Sequence, residues 1–220
     1  FAKFATALAI AKFMSAYGFT MKNWKHFAGA CGIIFLPMLC IVGQRETGSA
    51  LVYLSFFLMF YREGMPGSFL FMGLAMVVYF VVGIKYEEVL LWDTPTSVGK
   101  FVVLLLVQIF SSVMVWVYVG DRGKTRLLLA YVFGFTALAL LFSEFVIPFD
   151  IVWVQLVLSA GVIGYLVYNA LNTRFANYFY IALFALGSIA FFYSADYVLN
   201  DVMQPHQRVR INVLLGLDED

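Results

Sequence analysis

Apolar runs of roughly 20 residues recur along almost the whole chain, and that is the length needed to cross a bilayer as a helix. In lipid the backbone must satisfy its own hydrogen bonds, so such runs are either helices or strands of a closed barrel. Barrel strands alternate apolar and polar residues, and these runs do not. The fold class expected is therefore all-α, a polytopic membrane protein with about eight transmembrane helices. Composition agrees: 63% of the 220 residues are hydrophobic and 12% are charged, too little polar surface for a soluble domain. A net charge of +1 gives nucleic acid no electrostatic hold.

The expected helices cover residues 1–17, 24–42, 47–61, 66–85, 98–119, 125–142, 151–171 and 176–203. Pro66 suits the first turn of the fourth helix. Pro205 stops the eighth, which exceeds what a bilayer needs. The connections are short and polar, with no repeat, low-complexity stretch or soluble domain, so 1–220 reads as a single transmembrane domain. Phe1 lies inside an apolar run and the chain stops at Asp220, which reads as an internal fragment of a longer protein.

Charge gives the orientation. Lys22 and Lys25, Arg62, then Arg122, Lys124 and Arg126, and finally Arg174 fall in loops separated by even numbers of crossings. The alternate loops hold Gln44-Arg45-Glu46, Lys85 with Glu87, Glu88 and Asp93, and Glu144 with Asp150. The positive-inside rule makes the first set cytoplasmic and the second set, with the tail from Gln204, extracytoplasmic.

Three polar features share the outer face: Lys3, Gln44-Arg45-Glu46, and the tail His206, Gln207, Arg208 and Arg210. Each has two readings. Lys3 either snorkels to headgroups or lines a wet cavity. Glu46 either complements the dipole of the third helix or takes part in a site. Arg208 and Arg210 either touch lipid phosphates or hold a phosphate-bearing substrate in bidentate fashion. Their outer location, which the charge rule does not favour, weighs toward the substrate.

Elsewhere the polar residues read as structural. Gln108, Ser111, Ser112 and Gln155 are expected to hydrogen-bond between helices, and Asp196 and Asp201 to be interfacial. His26 reads as an anchor at the start of the second helix. Cys31 and Cys40 lie about 13 Å apart along one helix on opposite faces and cannot bridge each other. Ala28, Gly29, Ala30 and Gly32, and Ser159-Ala160-Gly161 with Gly164, suggest close helix packing. No phosphate loop, metal-ligand cluster or nucleophile–base motif stands out.

Three blocks resemble the SEDS family, the RodA and FtsW type of bacterial cell-wall proteins. Phe1-Ala2-Lys3-Phe4 with Ala9, Ala11 and Lys12 looks like the helix that follows the family's Pro-Ser-Glu motif, which would lie upstream. Gln44-Arg45-Glu46-Thr47-Gly48-Ser49-Ala50 resembles the Gln-Pro-Asp-Leu-Gly-Thr block. His206-Gln207-Arg208-Val209-Arg210-Ile211-Asn212 resembles the Gln-Arg-x-Arg-Val/Ile block that opens the large outer loop, here 204–220. The blocks stand in the family's order and on its membrane side, and cover about a third of the chain. Glu46 replaces the family's aspartate and Arg45 its proline. Helices four to seven, 66–171, look inserted relative to the family, as in RodA-like proteins of Bacteroidetes type.

The resemblance implies a peptidoglycan glycosyltransferase that polymerises lipid II for cell-wall elongation and cell shape. It implies a substrate site of Lys3, Gln44, Glu46, Gly48, Gln207, Arg208 and Arg210. The catalytic aspartate it implies belongs to a His-Thr-Asp-like motif downstream of Asp220, so no catalytic residue is expected among these 220 and the fragment alone should be inactive. It implies a class B penicillin-binding protein and membrane lipid as partners, the bacterial cytoplasmic (inner) membrane as location, and a divalent metal as an optional aid to diphosphate departure. Two other readings stand beside it: a flippase or transporter of lipid-linked precursors, and a non-enzymatic membrane scaffold.

Overall fold

The computed structural model describes residues 2–20, 23–43, 53, 55–65, 67–92, 94–145 and 148–197. Among these residues all regular elements are helices apart from one isolated β-bridge, Leu90 to Ser97, which establishes the all-α class. In chain order they are α1 (Ala2–Met14), α2 (Trp24–Gly43), α3 (Ser55–Arg62), α4 (Gly67–Lys85), α5 (Val98–Val119), α6 (Arg122–Phe145), α7 (Ile151–Thr173) and α8 (Ala176–Tyr197). Five of them, α4 to α8, are long and apolar enough to cross a membrane. By contrast α1 ends at Met14, before the expected 17, while α3 is described from Ser55 to Arg62, the earlier part of the expected 47–61 falling mostly outside the described residues. Most of the stretch between α2 and α3 and all of 198–203, the expected end of the last helix, lie outside the described residues.

The chain divides into two compact units, Phe1–Leu74 and Ala75–Asp220, the division falling within α4. In the first unit α1 ends early because the chain must reverse. Gly18 takes a left-handed φ of 79°, and His26 Nδ1 accepts the Thr20 backbone N–H at 3.2 Å. The His26 ring stacks on Phe19, so this histidine ties the start of α2 to the preceding turn. Phe13, near the end of α1, meets Gly29, near the start of α2, at a distance a Cβ would not permit. The two helices therefore run antiparallel, around a core of Ile10, Ala30, Ile34, Tyr53, Phe60 and Met65.

In the second unit α5 packs on α6, α7 and α8, and α7 packs on α6 and α8. Val115, Leu128, Val132, Val162, Leu166, Tyr178, Ile181 and Ala182 form the shared core. Helix ends are set locally. The Ser97 hydroxyl accepts the Lys100 N–H to cap α5, and Gly120 closes that helix at φ 79°. The Asp121 carboxylate accepts the Lys124 N–H at 3.0 Å, which starts α6 three residues before the expected 125. Asp150 caps α7 through Val152 N–H, also at 3.0 Å. The outward faces are apolar: Trp153 is 71% exposed, Leu171 76% and Leu138 61%. A surface of that kind is insoluble in water and matched to lipid.

Candidate functional site

Of the seven residues expected to bind substrate, Lys3 is the one the structure describes. Gln44, Glu46, Gly48, Gln207, Arg208 and Arg210 lie outside the described residues. Lys3 sits in the first turn of α1 and is half-buried. Three residues on, and so on the same helix face, Thr6 is buried. Its hydroxyl lies 3.4 Å from the fully buried Tyr53 hydroxyl and donates to the Ala2 carbonyl at 2.9 Å. Tyr53 follows closely after the Gln44–Ala50 block. Because α1 and α2 are antiparallel, the end of α2 at Gly43 also points toward the Lys3 end of α1. Tyr53, just past the second sequence block, thus meets the helix that carries Lys3, and it was not anticipated from sequence. Its signal was weak, a lone Tyr among apolar neighbours.

At one end of the second unit a hairpin spans 86–97. Leu91 N–H donates to Thr96 O at 2.9 Å, Val98 N–H to Val89 O at 2.8 Å, and the Ser97 hydroxyl to Glu87 O at 2.8 Å. The buried Thr96 hydroxyl accepts the Ile151 N–H at 2.8 Å, tying the starts of α5 and α7 together. Lys100, in the first turn of α5, pairs with Asp196, in the last turn of α8, at 3.2 Å. Asp196 is accordingly an ion-pair partner as well as a residue near the end of α8. At the opposite end Asn177 Nδ2 donates to Tyr118 O at 2.8 Å, and Lys124 Nζ donates to the Tyr178 hydroxyl at 3.0 Å. The alternation that the loop parity requires is therefore present in this unit.

Between these ends lies an uncharged polar network. Gln108, midway along α5, places Nε2 within 2.9 Å of Gln155 O, 2.9 Å of Gln155 Oε1 and 2.8 Å of Ser159 Oγ. Gln155 Nε2 donates to Thr136 Oγ1 at 2.9 Å. The interhelical role expected of Gln108 and Gln155 is observed. Ser111 and Ser112 differ, since their hydroxyls donate to Val107 O and Gln108 O four residues back on their own helix. A serine on a helix can always reach that carbonyl, and here it does so.

The small residues behave unevenly. A Cβ on Gly29 would strike Phe13, and one on Gly161 would strike the Tyr131 hydroxyl, whereas Gly32 and Gly164 have open space. Cys31 and Cys40 are free thiols. Among the described residues no group of three or more His, Cys, Asp or Glu side chains could hold a metal ion.

Fold and surface thus define a multi-pass α-helical membrane protein. No family model matches the chain, and no solved structure matches it. It is 27% identical over 222 aligned residues to the peptidoglycan glycosyltransferase RodA of Treponema pallidum (strain Nichols). That alignment covers 100% of this chain and 41% of the RodA protein, so the chain spans about two fifths of the curated relative's length. The likeness is distant but runs end to end, 66–171 included, and supports a RodA-like relationship.

Proposed function

We propose that this chain is part of a SEDS-type peptidoglycan glycosyltransferase of the bacterial inner membrane, acting on lipid II. The end-to-end similarity to a RodA carries this reading. Three sequence blocks in the family's order, and the approach of Tyr53 to the Lys3 helix, support it. In this reading Lys3, Arg208 and Arg210 hold the substrate diphosphate. Glu46 pairs with Lys3 or orients a sugar, with Gln44, Gly48 and Gln207 beside it. A carboxylate takes the proton of the acceptor sugar hydroxyl, that oxygen bonds to the donor's anomeric carbon, and the lipid diphosphate leaves with the electrons of the broken bond. A class B penicillin-binding protein is the partner the resemblance implies.

A transport role has less behind it. A pathway for a charged precursor needs polar contacts at mid-membrane. Four of the mid-helix polar side chains, Gln108, Gln155, Ser159 and Thr136, are engaged with one another instead.

The test is glycan-chain formation from purified lipid II by the full-length protein. Lys3→Ala and Glu46→Ala should each lower polymer yield by about tenfold or more with expression retained, the loss expected when a bound charge is left unpaired. Undiminished polymer from both variants would remove the site assignment, and no polymer from the unaltered protein with its partner would remove the activity.

A further inference from the structure

Charge is unevenly distributed over the second unit. At the hairpin end, acids outnumber bases: Glu87, Glu88, Glu144, Asp150 and Asp196 against Lys85 and Lys100. Lys100 is moreover neutralised by Asp196. At the other end, the α5–α6 and α7–α8 turns carry Arg122, Lys124, Arg126 and Arg174 against Asp121 alone. These two turns are held side by side by the Asn177–Tyr118 and Lys124–Tyr178 hydrogen bonds.

The cations at this end are not equivalent. Lys124 is occupied: its ammonium lies 3.0 Å from the Tyr178 hydroxyl, 3.7 Å from the Asp121 carboxylate, and over the Tyr178 ring. Asp121 also caps α6, so it is committed to Lys124 twice. Arg122, Arg126 and Arg174 are exposed, and none of them has an ion pair among the described residues. Arg122 and Arg126 share one face of α6 four residues apart, where like charges repel unless an anion lies between them. Arg174 sits in the left-handed region at φ 52°, closing α7.

Exposed apolar side chains stand near these cations in the chain, and an aromatic ring lies under Arg122. The Arg122 guanidinium lies 5.6 Å from the ring centre of Trp116, which is half exposed. Leu127, Leu171 and Phe175 are each at least 50% exposed. A cationic rim over an apolar wall at the ends of membrane-spanning helices matches one chemistry, an acyl chain joined to a phosphate. A free anion has no use for the wall, and a nucleic acid none for its depth.

We infer that this end of the α5–α8 bundle binds the anionic headgroup of a phospholipid, with Arg122, Arg126 and Arg174 as phosphate donors and Lys124 as a fixed background charge. The loop charge asymmetry makes it a lipid of the cytoplasmic leaflet, and the inference stands apart from any glycosyltransferase activity. The test is native mass spectrometry of the purified protein in detergent. Phosphatidylglycerol and phosphatidylcholine with the same acyl chains are offered in turn. Phosphatidylglycerol should be retained preferentially, and Arg122→Gln/Arg126→Gln/Arg174→Gln should cut that retention at least about tenfold, each juxtamembrane base contributing severalfold. Lys85→Gln, at the acidic end, should leave retention unchanged. Should the triple variant lose helicity, Arg126→Gln and Arg174→Gln singly, both at exposed positions, should each reduce retention about twofold or more. Equal retention of the two lipids, an equal loss with Lys85→Gln, or displacement by millimolar inorganic phosphate would each overturn the inference.

Discussion

The Gln108–Gln155 network predicts an unusual double-mutant cycle. Gln108 Oε1 is buried with no hydrogen-bond partner, while its Nε2, with two hydrogens, faces three acceptors. Replacing Gln155 by Leu removes the amide contact with Gln108 and the bond to Thr136, at about 0.6 kcal/mol each in membrane bundles, so about 1 kcal/mol in all. Gln108 keeps Gln155 O and Ser159 Oγ, so its donors stay satisfied and its lone carbonyl stays lone. Replacing Gln108 by Leu also costs about 1 kcal/mol in lost bonds. It strands Gln155 Oε1 but removes the stranded Gln108 Oε1, and those two desolvation effects, about 1–3 kcal/mol each, offset one another.

The double variant strands neither carbonyl. It loses about 2 kcal/mol of hydrogen bonding and regains a similar amount by deleting the unpartnered oxygen, so its stability should lie within about 1 kcal/mol of the parent. Each single variant should then be less stable than or equal to the double, with a coupling of about 2 kcal/mol between the sites. The assay is reversible unfolding in mixed detergent micelles, followed by circular dichroism, on all four members of the cycle. Additive losses, with the double about 2 kcal/mol below the parent, would show that the Gln108 carbonyl carries no penalty and would refute the reasoning.

Two further outcomes concern the hairpin end of the second unit. A Cβ on Gly99 would collide with the Gly83 carbonyl and the backbone at Tyr86 and Glu87, whereas one on Gly83 meets the ring of Phe192. Gly99→Ala should therefore cost about 3 kcal/mol and Gly83→Ala distinctly less, since a ring can turn aside and a backbone cannot; equal thermal shifts would contradict this. The Lys100–Asp196 pair is partly exposed, at 31% and 18% of its side chains, so Asp196→Asn and Lys100→Met should each lower stability by no more than about 1 kcal/mol in the same unfolding assay. A larger loss would mean the pair is more thoroughly desolvated than its exposure indicates.

What could be read from sequence follows from the range of the interaction concerned. Membrane helices announce themselves by composition over one turn after another, because lipid tests every residue of a span. Thus α5 and the starts of α7 and α8 coincide with their expected limits. Ends decided by a single side chain were less legible. The Asp121 cap carries α6 back through a basic first turn that apolar patterning alone would exclude. The Thr20–His26 bond and Gly18 end α1 before its apolar pattern does. Loop charge needs no partner to be read, so the contrast between the Arg122–Arg126 turn and the Glu87–Glu88 hairpin was visible at once. Pairings need register. Lys100 with Asp196, and Thr6 with Tyr53, join residues far apart in the chain whose neighbours are unremarkable. Ser111 and Ser112 illustrate the converse: a hydroxyl has an acceptor on its own helix, so its presence says little about a neighbouring one, while a glutamine amide has none within reach and must find it elsewhere. The two glutamines are thus better guides to packing here than the serines, or than Asn169, whose amide donates to Tyr165 O on its own helix, and the Gln108–Gln155 contact registers α5 against α7.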